Sequence, residues 1–295
     1  MSILNFKKIP ITILIISFAI TCGIIVSLSF EDSFGHNFSP DESAEFLTIV
    51  NKIKIESAIV ANNSANNNQS SSISHVQYAL NTYDSHTNHE LSERNERIAT
   101  ELNNTLNQLQ DQVETSSITD KSQINQTVET INAILDESVS VRIDDDQLNN
   151  STIQALVFAD IVNTALQSYG SSFGIGIDLT NMSNLNTTSN ENNTLDNKHS
   201  NHELQNITDQ MNIVNFFSYE SALSFADYAL KKFNSEIKIS IPNNNKTQNY
   251  LKQLENGLLE FNTAITNKEN PMKVMEVVHT KIQPNVQILF NLKSK

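Results

Sequence analysis

The 295 residues contain one cysteine, Cys22, which lies inside an apolar run near the N-terminus. The rest of the chain therefore has no disulfide, thiolate zinc site or cysteine nucleophile, and its fold must rest on packing. Tryptophan is missing, and only 6 glycines and 5 prolines punctuate the chain. A large β-sandwich needs frequent turn residues, so this scarcity points to helices. Basic residues are few, 19 Lys and Arg against 33 Asp and Glu, for a formal net charge of −14. A surface that binds phosphates needs local positive charge, which argues against nucleic acid as a partner; ordinary solubility accounts for the acidity. There is no Gly-rich phosphate loop, Gly-x-Ser-x-Gly elbow, His-Glu-x-x-His helix or kinase signature, so a non-enzymatic role is expected.

One long uncharged run is present. Residues 9–30 carry no charge over 22 positions, enough for a helix to cross a bilayer core of about 30 Å. Lys7 and Lys8 precede the run and Glu31 and Asp32 follow it, which predicts residues 1–8 in the cytoplasm and the remainder outside the cell membrane. Ser27 and Ser29 offer small side chains at signal-peptidase spacing, so secretion after cleavage near Ser29 is the alternative. The run exceeds a usual signal-peptide apolar region, which favours an uncleaved single-pass anchor. Beyond residue 30 the formal charge is −16.

Twelve Asn-x-Ser/Thr sequons all follow this segment: Asn37, Asn62, Asn68, Asn103, Asn125, Asn149, Asn150, Asn181, Asn186, Asn192, Asn206 and Asn245. A chain this rich in Asn, Ser and Thr yields about eight by chance, so their placement is more informative than their number. On an exported domain they predict glycans, which must face solvent.

The polar–apolar pattern is helical. Ser39, Pro40 and Glu42 form an N-terminal capping box, and Phe46, Ile49, Val50 and Ile53 follow at helical spacing. An Asn-rich break over residues 62–72 leads to a second helix over 73–83. Thr87 and Glu90 form a further capping box for a helix over 88–114, whose Leu91, Ile98, Leu102, Leu106, Leu109 and Val113 make one stripe. Ile124, Val128, Ile131, Leu135 and Val139 make the next. A turn at 144–150 precedes a helix over 153–169 ended by Gly170, then a sequon-bearing loop over 171–200. Helices are expected over 202–237, 247–266 and 271–290, with Pro284 kinking or shortening the last. The expected fold class is all-α: an N-terminal transmembrane helix, then an extracytoplasmic antiparallel bundle of seven or eight helices. The bundle is either one body or two stacked halves, 31–145 and 146–295.

Coordination chemistry is suggested at one place. His75, His86, His89, Glu90 and Glu93 cluster in sequence, with His89 and Glu93 one helical turn apart, and imidazole with carboxylate suits iron, copper or zinc. A solvated helix start is the competing reading. Glu276 and His279 form a second, sparser pair. Phe216, Phe217, Tyr219, Phe225, Tyr228 and Phe233, interleaved with Glu220 and Asp227, read as a pocket wall or as core.

The spacing Tyr219-x-x-Ala222 through Phe233, then Leu251-x-x-Leu254-Glu255-x-x-Leu258-Leu259-x-Phe261-x-x-Ala264-Ile265, Val274-x-x-Val277 and Ile282, resembles the helical extracytoplasmic domain attached to some high-affinity iron permeases. Residues 155–169 match an earlier helix of that domain, and the resemblance spans roughly residues 150–290. It implies a surface helical domain associated with metal handling through acids such as Glu220, Asp227 and Glu255. The permease's Arg-Glu-x-x-Glu helices are lacking, so this chain cannot transport iron alone. Two roles follow from the sequence. The expected one is a membrane-tethered interaction or structural protein with partners in the cell envelope, since it requires no site that the sequence fails to show; the alternative is a metal- or solute-binding accessory domain for iron or copper handling. A sensor is disfavoured, because eight residues before the span leave no room for a cytoplasmic output domain.

Overall fold

A computed structural model describes residues 39–115, 121–175, 179–180, 212–242 and 244–292. These residues belong to one compact unit and are helical, with no strand among them. The expected membrane segment over 9–30 and the sequons Asn37, Asn181, Asn186, Asn192 and Asn206 lie outside the described residues. Among the described residues no helix is long and apolar enough to cross a membrane.

Local chemistry explains each start. Helix α1 (Pro40–Ala65) opens with the expected box: Ser39 Oγ accepts from the Glu42 amide, and Glu42 accepts from the Ser39 amide at 2.6 Å. It ends where Asn67 turns left-handed at φ 59°, and Asn68 caps α2 (Gln69–Thr82), which starts earlier than its apolar pattern alone suggests. Helix α3 (Ser85–Thr115) is capped by Asp84, whose Oδ1 accepts from the Thr87 amide at 2.8 Å. Thr87 is therefore inside the helix, and the expected Thr87–Glu90 box gives way to a carboxylate cap one turn earlier. At Asn95 (φ −156°, ψ 96°) α3 breaks and restarts, with Asn95 Oδ1 accepting from the Ile98 amide, so Leu91 and Ile98 are both fully buried on either side of the kink.

Helix α4 (Lys121–Arg142), a single turn α5 (Asp145–Leu148) and α6 (Ser151–Ser172) follow. Gly170 falls inside α6 rather than ending it; a Cβ there would meet Leu179 at 2.7 Å. Helix α7 (Phe216–Lys232) begins at an Asn215 cap, so the expected start at 202 is corrected: residues 212–215 are not helical and 202–211 lie outside the described set. A π turn (Phe233–Ile237) carries α7 into a short α8 (Lys238–Ser240). Then come α9 (Asn245–Thr266), α10 (Pro271–Val277), a second π turn (Val278–Ile282) and α11 (Gln283–Phe290). Pro284 is absorbed rather than kinking the run. The wider π turn lets the Gln283 amide donate to the Val278 carbonyl, and proline, which has no amide hydrogen, enters the first turn of α11.

Buried apolar side chains form two clusters. One is built mainly from α1 to α4 and the other from α6 to α11. Helices α1 and α6 serve both, Ile53 and Val157 in the first, Ile59, Phe158 and Tyr169 in the second. Such two-sided burial needs apolar side chains on more than one face of α6, which Ile153, Val157, Phe158, Ile161, Val162 and Leu166 supply. Aromatics read above as pocket wall or core are core at Phe225 and Phe233, both fully buried, while Phe216 is exposed.

The C-terminal half is set by one close approach. A Cβ on Gly257 of α9 would lie 3.1 Å from Lys281 Cβ and 3.2 Å from Ile282 Cγ1 in the second π turn. Gly257→Val is therefore expected to cost about 1–3 kcal/mol of stability through overpacking. Urea unfolding checks this; an unchanged midpoint would mean that α9 and the turn do not touch.

Candidate functional site

Two polar features interrupt the core, and both start on α1. The first is a buried network. Glu56 and His75 are fully buried, with Glu56 Oε2 2.5 Å from His75 Nδ1. The other ring nitrogen lies 3.2 Å from Glu220 Oε2 on α7, and the ring packs on Phe217 at 4.6 Å between centroids. Ser221 donates to Glu56 Oε1 at 2.9 Å; Ser71, and Asn63 at 3.3 Å, donate to Glu220. With a carboxylate oxygen at each nitrogen, the pair of contacts needs a hydrogen in both gaps. Burial, with the Glu56 charge adding to it, pushes the Tyr78 hydroxyl above its ordinary range. The network ties α1, α2 and α7 together.

This geometry separates the residues grouped above as possible metal ligands. His75 is buried between carboxylates on opposite sides of its ring, so the two acids share no coordination point with it. His86 and His89 are about three-quarters exposed on α3, facing Glu90 at 3.1 Å and Glu93 at 3.4 Å one turn on. Glu90 is also engaged by the buried Arg142, whose guanidinium stacks 4.2 Å over the Phe46 ring. Among the described residues no three His, Cys, Asp or Glu side chains gather into a metal-holding group. The acids singled out through the permease resemblance are also dispersed: Glu220 in the buried network, Asp227 with Lys231 at 2.7 Å, Glu255 with Lys238 at 2.9 Å. Glu276 faces solvent while His279 is buried, because the π turn rotates the two apart.

The second feature is a groove of about 710 Å³ between α1, α6 and the C-terminal helix, within the range of small-molecule sites. Its walls carry Asp41, Glu45 and Lys52 from α1, Asp160 and Asn163 from α6, and Gln283 and Gln287 from α11, over apolar ground that includes Val162 and Val286. Lys52 is half-buried. Burial holds its ammonium below the ordinary lysine range, opposed by the charges of Asp160 and then Glu45. Among the described residues it has no hydrogen-bond or salt-bridge partner, so those two acids act on it only through space. The natural partner on its own helix would be Glu56, one turn on. That carboxylate is committed to His75 and Ser221 instead.

The opposite wall is ordered by a chain of contacts. His279 Nε2 donates to the Leu179 carbonyl at 3.0 Å, Nδ1 meets the Gln283 amide at 2.7 Å, and Gln283 meets Asn163 at 3.2 Å. The hydrogens on the imidazole thus decide which atom of Asn163 is left for a ligand.

No protein-family model, curated protein or solved structure matches the chain. The site is therefore defined by its own chemistry. Lys52, Glu56, Asn163 and Gln283 were not singled out in the sequence. Glu56 was legible there, as it follows Ile53 by three and precedes Val60 by four, an acid on the apolar stripe. The groove was not, because its walls come from helices more than a hundred residues apart.

The two features have opposite expected consequences. His75→Ala leaves Glu56 buried without its main partner and is expected to cost about 3–5 kcal/mol. Lys52→Met removes a charge that burial disfavours, so the ligand-free melting temperature is expected to stay level or rise. Thermal unfolding of both variants checks this; a Lys52→Met loss comparable to that of His75→Ala would make Lys52 a structural residue.

Proposed function

We propose that this protein is a membrane-tethered, N-glycosylated extracytoplasmic helical domain that captures a small polar solute in the groove between α1, α6 and α11. The observation that carries this reading is Lys52, a half-buried ammonium with no direct partner among the described residues, on the wall of a 710 Å³ groove. Keeping such a charge costs stability, and ligand-binding sites are where that cost is met. Of the two roles open to the sequence, solute binding has an anchored site behind it. The interaction or structural role would draw on exposed apolar side chains, and these are distributed over several elements as Val214, Phe216, Ile239, Leu259 and Ile288. Iron, copper or zinc handling would need ligands other than His75, His86 and His89, which the fold keeps in separate surroundings.

The sequons support the exported placement. Asn62, Asn103, Asn125, Asn149, Asn150 and Asn245 are exposed, and Asn68 is half-buried at the cap of α2. None of these seven lines the groove, so glycans on them would leave it open. Peptide N-glycosidase treatment of the native protein is expected to lower its mass. Thermal-shift screening of the full chain against amino acids, sugars, organic acids, polyamines and metal ions is expected to find a polar class that raises the melting temperature by several degrees near saturation. Ala159→Trp, which fills the groove from α6, is expected to abolish that shift. A screen with no shift, or a shift that survives Ala159→Trp, overturns the reading.

A further inference from the structure

The groove's charges specify more than polarity. Lys52 supplies one positive group, Asp41, Glu45 and Asp160 supply negative groups, and Asn163, Gln283 and Gln287 neutral donors and acceptors. Among the described residues no aromatic side chain lines it. A sugar ring, which favours an aromatic platform, has none here. A simple dicarboxylate would meet three acids for one base, and a polyamine would meet the unpaired lysine. A ligand bearing one carboxylate and one ammonium satisfies both signs.

Resting on the solute-binding reading, we propose that the groove binds a zwitterion of the amino-acid type, a free α-amino acid or a short peptide, with its carboxylate on Lys52 and its ammonium toward Asp160 and Glu45. The amide wall from Asn163 to Gln283 hydrogen-bonds the ligand's backbone groups, and Val162 and Val286 underlie an aliphatic side chain. Volume favours the longer member. A groove of about 710 Å³ exceeds what a single small amino acid fills and suits a peptide of a few residues. His279, whose ring orders the amide wall through Gln283, acts as a positioning residue.

The test is calorimetric titration of the full chain in nanodiscs with alanine, leucine, trialanine, N-acetyl-trialanine and trialanine amide, with glucose and succinate as controls. Trialanine is expected to bind, and each capped form to bind about tenfold or more weakly, because each lacks one charge. Lys52→Met is expected to abolish discrimination between trialanine and its amide, while Lys52→Arg retains it. Asp160→Asn is expected to reduce discrimination against the acetylated form. Alanine or leucine binding more tightly than trialanine would assign the site to free amino acids, the same chemistry from the other source. If glucose or succinate binds and the binding is lost in Ala159→Trp, the zwitterion proposal fails while the solute-binding reading stands. If no compound binds, and none of the broader screen does, both fail. Binding of trialanine that is indifferent to both caps also overturns the proposal, whatever Lys52→Met does to stability.

Discussion

Burying the Glu56 carboxylate is the constraint on which the rest of the structure depends. A carboxyl group in a helical core is tolerated only when its oxygens are met by hydrogen-bond partners. His75 from α2 and Ser221 from α7 meet them, so α1 cannot rotate or slide without leaving a buried polar group unmatched. Because α1 belongs to both apolar clusters, the same contacts hold its register against each of them. Hydrophobic burial supplies the larger driving force, but it is tolerant of small slips; a buried hydrogen-bonded carboxylate–imidazole contact is not.

That commitment has a consequence one turn away. Lys52 sits at i−4 from Glu56, where an exposed helix would pair the two. With Glu56 turned inward to His75, Lys52 keeps its charge at the groove wall, tempered by Asp160 and Glu45 but touching neither. Across the groove, the second π turn does corresponding work. It accommodates Pro284, buries His279, and thereby fixes Gln283 against Asn163. Such turns are frequent at functional sites because they re-aim side chains without ending a helix. The architecture thus explains both walls of the groove from constraints that originate outside it.

Helix positions were largely legible in the sequence because short-range chemistry decides them. The Ser39–Glu42 box forms as its spacing requires, and Leu91, Ile98, Leu102, Leu106, Leu109 and Val113 are all buried along α3. Errors arose where two local signals competed. Asp84 outbids Thr87 as a cap because a carboxylate accepts more strongly at the positive end of a helix, and Asn215 starts α7 where the apolar pattern alone ran back to 202. The site was less legible. Histidines near carboxylates in sequence drew attention to His86 and His89, yet each spends its contact on the glutamate one turn along its own exposed face. Lys52 looked like an ordinary surface charge, since its isolation depends on where His75 goes.

Backbone amide chemical-shift mapping of the full chain with trialanine tests the central claim most directly, that the groove around Lys52 is the site this fold builds. The account predicts perturbations concentrated at Thr48 to Lys52 on α1, Asp160 to Gln167 on α6 and Gln283 to Gln287 on α11, with the Glu56–His75 network unmoved. Saturable perturbations centred on His86 and His89 of α3, or on the α2–α7 contact around His75 and Glu220, would contradict it.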